Sequence, residues 1–260
     1  MKSNINAIVT IAFRDLIKLF RDRTRIIANF VFPIIFLGVL GSSLQSNLSG
    51  DLWYNFLTFV FTGVLAQTLF QSTAGGLVSL VEDRQNDFAQ ELFVSPISRY
   101  SIVMGKILGE TFVAFVQISG VIIFALIFGV PLSIVSLFRI IPFAILIALF
   151  GGAFGLFVMS NMSEQRSANQ IFPFVLFPQF FLAGVFNPIK VLPLPLMILS
   201  RVAPMTYAID LLRSVYYWDN SEYRYTVLFD PIKNLLIVGI LTVVFIAAGT
   251  YLFVRKEQNR

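Results

Sequence analysis

Lys106 and Glu110 stand one helical turn apart inside an apolar run, Ile102–Val130. Ionisable residues in such a setting are functional suspects, and a proton relay is one chemistry they could perform. The same spacing serves a purely structural pair, or a lysine that snorkels to the nearby surface. Gln67, Gln71, Ser72 and Thr73 in a second apolar run, and Gln117 in the third, could line a polar pathway or bond one helix to another. Other chemistry is scarce. The chain has no histidine and no cysteine, so thiol catalysis, disulfides, the usual zinc and haem ligands and the commonest general base are all missing. No pair of intramembrane aspartates is present either, which disfavours an intramembrane enzyme. A phosphate-cradling loop requires glycines followed by Lys-Ser/Thr; Gly105-Lys106 continues into Ile107 instead. Nothing on this chain is therefore expected to hydrolyse a nucleotide or to hold a cofactor or metal.

These residues must be positioned by a membrane-embedded scaffold. Hydrophobic residues make up 57% of the 260 and charged residues only 13%, against about 25% charged in soluble domains. Six segments are long enough to cross a hydrocarbon core, which takes about 20 residues: Ile26–Leu44, Phe56–Val81, Ile102–Val130, Ile140–Met159, Ala168–Phe186 and Leu235–Val254. The fold class is all-α and polytopic, with residues 1–260 as one transmembrane domain. Spans one to five lie within 26–186, and the last span with its tail within 232–260. Pro173 and Pro178 should kink the fifth helix. The first run is too long for a signal-peptide core and follows too long a basic segment, so it is read as a retained span.

Orientation follows from Lys and Arg. Lys2, Arg14, Lys18, Arg21, Arg23 and Arg25 precede the first span, and Arg255, Lys256 and Arg260 follow the last. Both termini are expected in the cytoplasm, which demands an even number of spans. Gln45–Asn55 carries no basic residue, and the turn before the fourth span carries only Arg139. Trp53, Tyr54, Tyr217 and Trp218 fall where an outer aromatic belt would. The net charge of +5 is spent on orientation and forms no single patch, so nucleic acid is not an expected partner.

Residues 1–25 read as an amphipathic helix. Ile5, Ile8, Val9, Ala12, Phe13, Leu16, Ile17 and Phe20 recur at three- and four-residue steps, with Asn6, Thr10, Arg14, Lys18 and Arg21 opposite. Such a helix lies along the inner membrane surface, its cations near anionic lipid headgroups, or packs against the spans. Residues 187–231 are apolar but broken by Pro188, Pro193, Pro195 and Pro204, which forbid one straight span. Two short helices that enter or lie on the outer leaflet without crossing it are expected. Asp210 and Arg213 within the second can pair at i,i+3.

One charged island interrupts the apolar chain: Glu82, Asp83, Arg84, Asp87, Glu91 and Arg99 lie between spans two and three. Asp87 and Gln90 fit a capping box. Phe88 with Leu92, and Ala89 with Phe93, share a face, and Pro96 disfavours helix at Ser95. The two-turn helix so defined is too short to stand alone. Its apolar face docks in a groove on a partner, or folds back onto the ends of the spans.

At these residues the chain resembles a known family. The EDR close of the second span followed by ELFVSPISRYSIVMGKILGE, together with GVFNPIKVLPLPLMILSRVAPMTYAIDLLR before the last span, is similar to the membrane subunit of type-two ABC exporters. The order of elements agrees over nearly the whole chain. The resemblance implies a permease of a prokaryotic inner membrane that exports a lipidic, glycan or amphipathic cargo by alternating access. ATP and magnesium would bind a separate ATPase subunit, and a second permease copy or homologue would complete an assembly of two permeases and two ATPases. Residues 84–96 would be the coupling helix, with Glu82, Asp83, Arg84, Asp87, Phe88, Glu91, Leu92, Phe93 and Pro96 at the ATPase contact. The turn Asn161–Ser167 would make a second, smaller contact. Pro188, Pro204, Tyr207, Asp210 and Arg213 would belong to an outer re-entrant gate, and Gln67, Gln71, Thr73 and Gln117 to the pathway. A passive channel or scaffold is the alternative; it would show flux or recruitment without ATP.

Overall fold

The computed structural model describes residues 2–41, 43, 45, 52–85, 98–162 and 164–258. Among them the regular structure is entirely helical. Helix α1 covers Lys2–Arg21 and α2 covers Arg23–Ile34. Pro33 lacks an amide N–H and its ring crowds the carbonyl one turn back. The chain after it continues as a π-helix over Ile35–Gly41, the wider coil that absorbs such a mismatch. Helix α3 runs Phe56–Gly76, α4 Val78–Gln85, α5 Arg99–Ile127, α6 Ile134–Met159 and α7 Gln165–Leu182. A short 3-10 turn, Ile189–Val191, precedes α8 (Leu194–Val202), α9 (Pro204–Tyr216), α10 (Tyr223–Thr226) and α11 (Pro231–Gln258).

Several boundaries follow from local chemistry. Asn55, Ser98 and Ser133 each sit in extended geometry and accept from the amide three residues on, which caps α3, α5 and α6. Pro204 opens α9, where a missing N–H costs nothing. Gly129, with φ +81, turns the chain after α5 in a conformation that a Cβ would resist.

Among the described residues four helical stretches are long and apolar enough to cross a membrane: Phe56–Asp83, Tyr100–Ile127, Ile134–Met159 and Tyr223–Lys256. A fifth is added if α8 and α9, which meet at 89°, count as one broken span. Of the other expected spans, the first is divided between α2 and the π-helix, and Leu44 lies outside the described residues. The fifth is one helix that runs through both prolines. It opens on the polar sequence Gln165–Gln170, which lowers its hydropathy below that of a typical span.

Helix α3 forms the centre. Every residue from Phe56 to Phe70 is buried, as an apolar helix surrounded on all sides requires. It packs on α5, α6 and α9, and α11 covers the other side of α6. Gly151 and Gly155 press α6 directly on the α3 backbone at Phe70 and Ala74, the close approach that small residues permit. Helix α1 lies against α5, where Gly105 and Gly109 meet Ile11 and Ala12.

Candidate functional site

The charged residues of α1 and α4 converge on Lys106. Helix α1 has three faces rather than two. Ala7, Ile11, Ala12, Asp15 and Leu19 are buried toward the protein. Ile5, Val9, Phe13 and Phe20 are 57–62% exposed, an apolar stripe that suits an acyl-chain boundary. Asn6, Thr10, Arg14, Lys18 and Arg21 form the polar third. The helix packs on α5 and leaves an apolar face exposed.

Lys106 is 1% exposed. An isolated ammonium at such a depth would cost several kcal/mol. Its Nζ instead lies 2.7 Å from Asp83 Oδ2 and 3.3 Å from Asp15 Oδ1, and donates to Ser79 Oγ at 3.0 Å. Arg14 reaches Asp83 Oδ2 at 2.7 Å and Asp15 Oδ1 at 3.3 Å, and Lys18 approaches Asp83 at 3.8 Å. Burial disfavours the Arg14 cation, but the carboxylates of Asp83 and Asp15 outweigh it and raise its pKa. Of the two structural readings open for Lys106, a pair with Glu110 and snorkelling to the surface, neither describes its contacts. Lys106 turns to two aspartates on other helices, while Glu110 lies against Gly76, where an added Cβ would overlap its carboxyl. A periodic reading could not find Asp15, because it sits on a different helix, 91 residues away.

Beside this network a cleft of about 690 Å³ opens between α3, α4, α5 and α7. It extends from Asp22 and Glu82 to Phe177 and Phe180, and Gln67, Gln71 and Gln117 line it. Gln67 donates to Gln71 at 2.9 Å along the same helix. Thr73 lies elsewhere: fully buried, it bonds back to the Leu69 and Phe70 carbonyls and faces Gly151 on α6. Among the described residues no group of three or more acidic side chains is placed to hold a metal ion.

At the opposite end of the bundle, α9 is fixed by two buried side chains. Asp210 accepts from the amides of Leu228 and Phe229 at 2.7 and 2.8 Å and from Asn234 Nδ2 at 2.7 Å. Arg213 donates to the Gly184, Val185 and Phe59 carbonyls at 2.7, 3.1 and 3.1 Å and stacks on the Phe59 ring. The expected Asp210–Arg213 pair is therefore replaced by separate anchors, one to the entry of α11 and one to the junctions of α3 and α7. The corner before α9 is held by Met205 N–H donating to Gln179 Oε1 and by the Thr206 hydroxyl donating to Ser200 O. Tyr207 donates to the Arg201 carbonyl at 2.7 Å. Pro188 caps the 3-10 turn. Of the four aromatics expected in an outer belt, Trp53 and Trp218 are exposed and Tyr54 is half-buried, but Tyr217 is fully buried.

Glu82 and Asp83 lie in the last turn of α4; Glu82 faces the cleft and Asp83 the ion network. Arg84 belongs to the same helix. Asp87, Phe88, Glu91, Leu92, Phe93 and Pro96 lie outside the described residues, which stop at Gln85 and resume at Ser98.

Comparison with known proteins adds an independent finding. The profile of the ABC-2 type transporter family matches residues 6–217. The chain is 27% identical over 225 residues to the "Putative transport permease ycf38" of Cyanophora paradoxa, covering 82% of this chain and 74% of that protein. It is 24% identical over 229 residues to the protein of the same name from Porphyra purpurea, covering 85% and 77%.

Proposed function

Because the chain belongs to the ABC-2 type transporter family, we propose that this membrane transport permease is the spanning subunit of an ATP-driven exporter. In this reading six helical segments cross the membrane, both termini are cytoplasmic, and α8 and α9 form an outer re-entrant pair. An ATPase subunit carries ATP and magnesium and docks on residues 84–96. A second permease copy faces the first, since cyclic two-fold pairing is the commonest way to close such an assembly. The cleft beside Gln67, Gln71 and Gln117 opens alternately to either side for a lipidic, glycan or amphipathic cargo in a prokaryotic inner membrane.

The observation that carries the reading is the anchoring of both flanks of the charged segment. Asp83 lies in the last turn of α4, and Arg99 opens α5. Both neighbouring helices are bound into one ion network with α1. A load applied between these flanks reaches α3, the central helix, and α5, and both line the cleft.

The test is to express Phe88→Asp or Leu92→Asp in the full chain with a cognate ATPase subunit. Membrane insertion should persist while co-purification of the ATPase is lost, because a carboxylate cannot enter an apolar groove unpaired. Full co-purification with unchanged export would refute the docking. Labelling of Gln90→Cys by an impermeant thiol reagent from outside intact cells would invert the proposed orientation.

A further inference from the structure

The contact between α1 and α5 has two components of different mechanical character. Gly105 and Gly109 against Ile11 and Ala12 set how closely the helices approach. A contact between small apolar surfaces is non-directional, so it fixes spacing but resists sliding only weakly. The buried ions are directional, because short charge-assisted bonds tolerate little displacement. They also span three helices: Asp15 on α1, Asp83 and Ser79 on α4, and Lys106 on α5. Apolar packing in place of a buried ion pair is often as stable, so stability alone does not account for the cluster.

The network also touches the cleft. Ser79 accepts from Lys106 and donates to the Gly76 carbonyl at 2.6 Å, and both Ser79 and Gly76 line the cleft. Any displacement of this joint therefore moves a wall of the cleft.

We propose that Lys106 is a positioning residue whose ammonium, shared between Asp15 and Asp83, locks α1, α4 and the start of α5 into one body. That body carries displacement of the segment following Asp83 into the cleft. The assignment rests on the transport reading above.

The chain has no cysteine, so spin labels can be placed by introduced cysteines alone. Thr10 on α1, Tyr100 on α5 and Asn169 on α7 are exposed. The pair Thr10→Cys/Tyr100→Cys reports the joint, and Tyr100→Cys/Asn169→Cys reports movement across the cleft. Asp15→Asn/Lys106→Met removes one cation and one carboxylate together, which avoids stranding a charge. In the full chain in lipid nanodiscs, this double variant should broaden or shift the joint distance by about 2 Å or more, the scale of helix sliding.

With the ATPase subunit bound, ATP plus vanadate should shift the cleft pair and leave the joint distance constant in the unaltered chain. In the double variant that shift should fall at least about twofold, as expected when a two-state element loses its bias. Asp15→Asn alone keeps the Lys106–Asp83 contact and is the second variant. It should loosen only the joint pair and retain the cleft shift. An unchanged joint distance in either variant, or an undiminished cleft shift in the double variant, overturns the proposal. If the unaltered chain binds no ATPase and shows no ATP-driven shift, the exporter reading and the transmission role fail together. A loosened joint distance then leaves Lys106 as a static tie between the three helices.

Discussion

Replacing Arg213 by methionine tests how α9 is held. The guanidinium is 3% exposed and, among the described residues, has no carboxylate within bonding distance; it is satisfied by three carbonyls, by Thr62 Oγ1 at 3.3 Å and by the face of Phe59. Methionine fills much of the same volume but donates nothing. Phe59 O keeps a partner, because the Thr62 hydroxyl also donates to it at 2.8 Å. Gly184 O and Val185 O lose the guanidinium that satisfies them. An orphaned buried acceptor costs about 1–3 kcal/mol, so two give about 2–6 kcal/mol. Relief from burying the cation brings the expected loss for Arg213→Met to about 2–4 kcal/mol. Arg213→Lys should not recover it, since a single ammonium cannot reproduce a planar fork that bonds on several sides and stacks on a ring. The assay is reversible unfolding in mixed micelles by added dodecyl sulfate, followed by helical circular dichroism. A Met variant within about 0.5 kcal/mol of the unaltered chain, or full recovery by Lys, would refute this account of the anchor.

Two further perturbations separate close packing from open surface. Gly155→Ala forces a methyl into the Ala74 backbone and should cost about 1–3 kcal/mol, whereas Gly239→Ala meets nothing within 4 Å and should be neutral or gain up to about 1 kcal/mol; equal effects in the same assay would contradict the α3–α6 contact. Arg139→Ala removes a 2.6 Å bridge to Asp219 whose side chains are 48% and 68% exposed. It should cost no more than about 0.5 kcal/mol and less at high salt, and a loss several times larger would mean that the start of α6 depends on it.

Much of the scaffold was legible in the residues. Apolar runs of the right length marked the four helices long and apolar enough to cross a membrane, because hydrocarbon tolerates little else. Pro188, Pro193 and Pro204 announced a broken passage, and α8 and α9 meet at 89° there. The three- and four-residue steps of residues 5–20 announced α1. They did not divide it into a protein-facing side and an outward apolar stripe, since periodicity counts faces only by residue type.

The functional geometry was less legible. Spacing made Glu110 the natural partner of Lys106 and Asp210 that of Arg213, because residues three or four apart share a helix face. Packing decided otherwise. Lys106 found Asp15 and Asp83, and Arg213 found carbonyls as far as 154 residues away in the chain. The reason is electrostatic as much as steric: in a medium of low polarity a charge is stabilised by whichever opposite charges and dipoles surround it. A sequence by itself determines which groups must be satisfied and roughly at what depth. Only the assembled helices determine which partners arrive there.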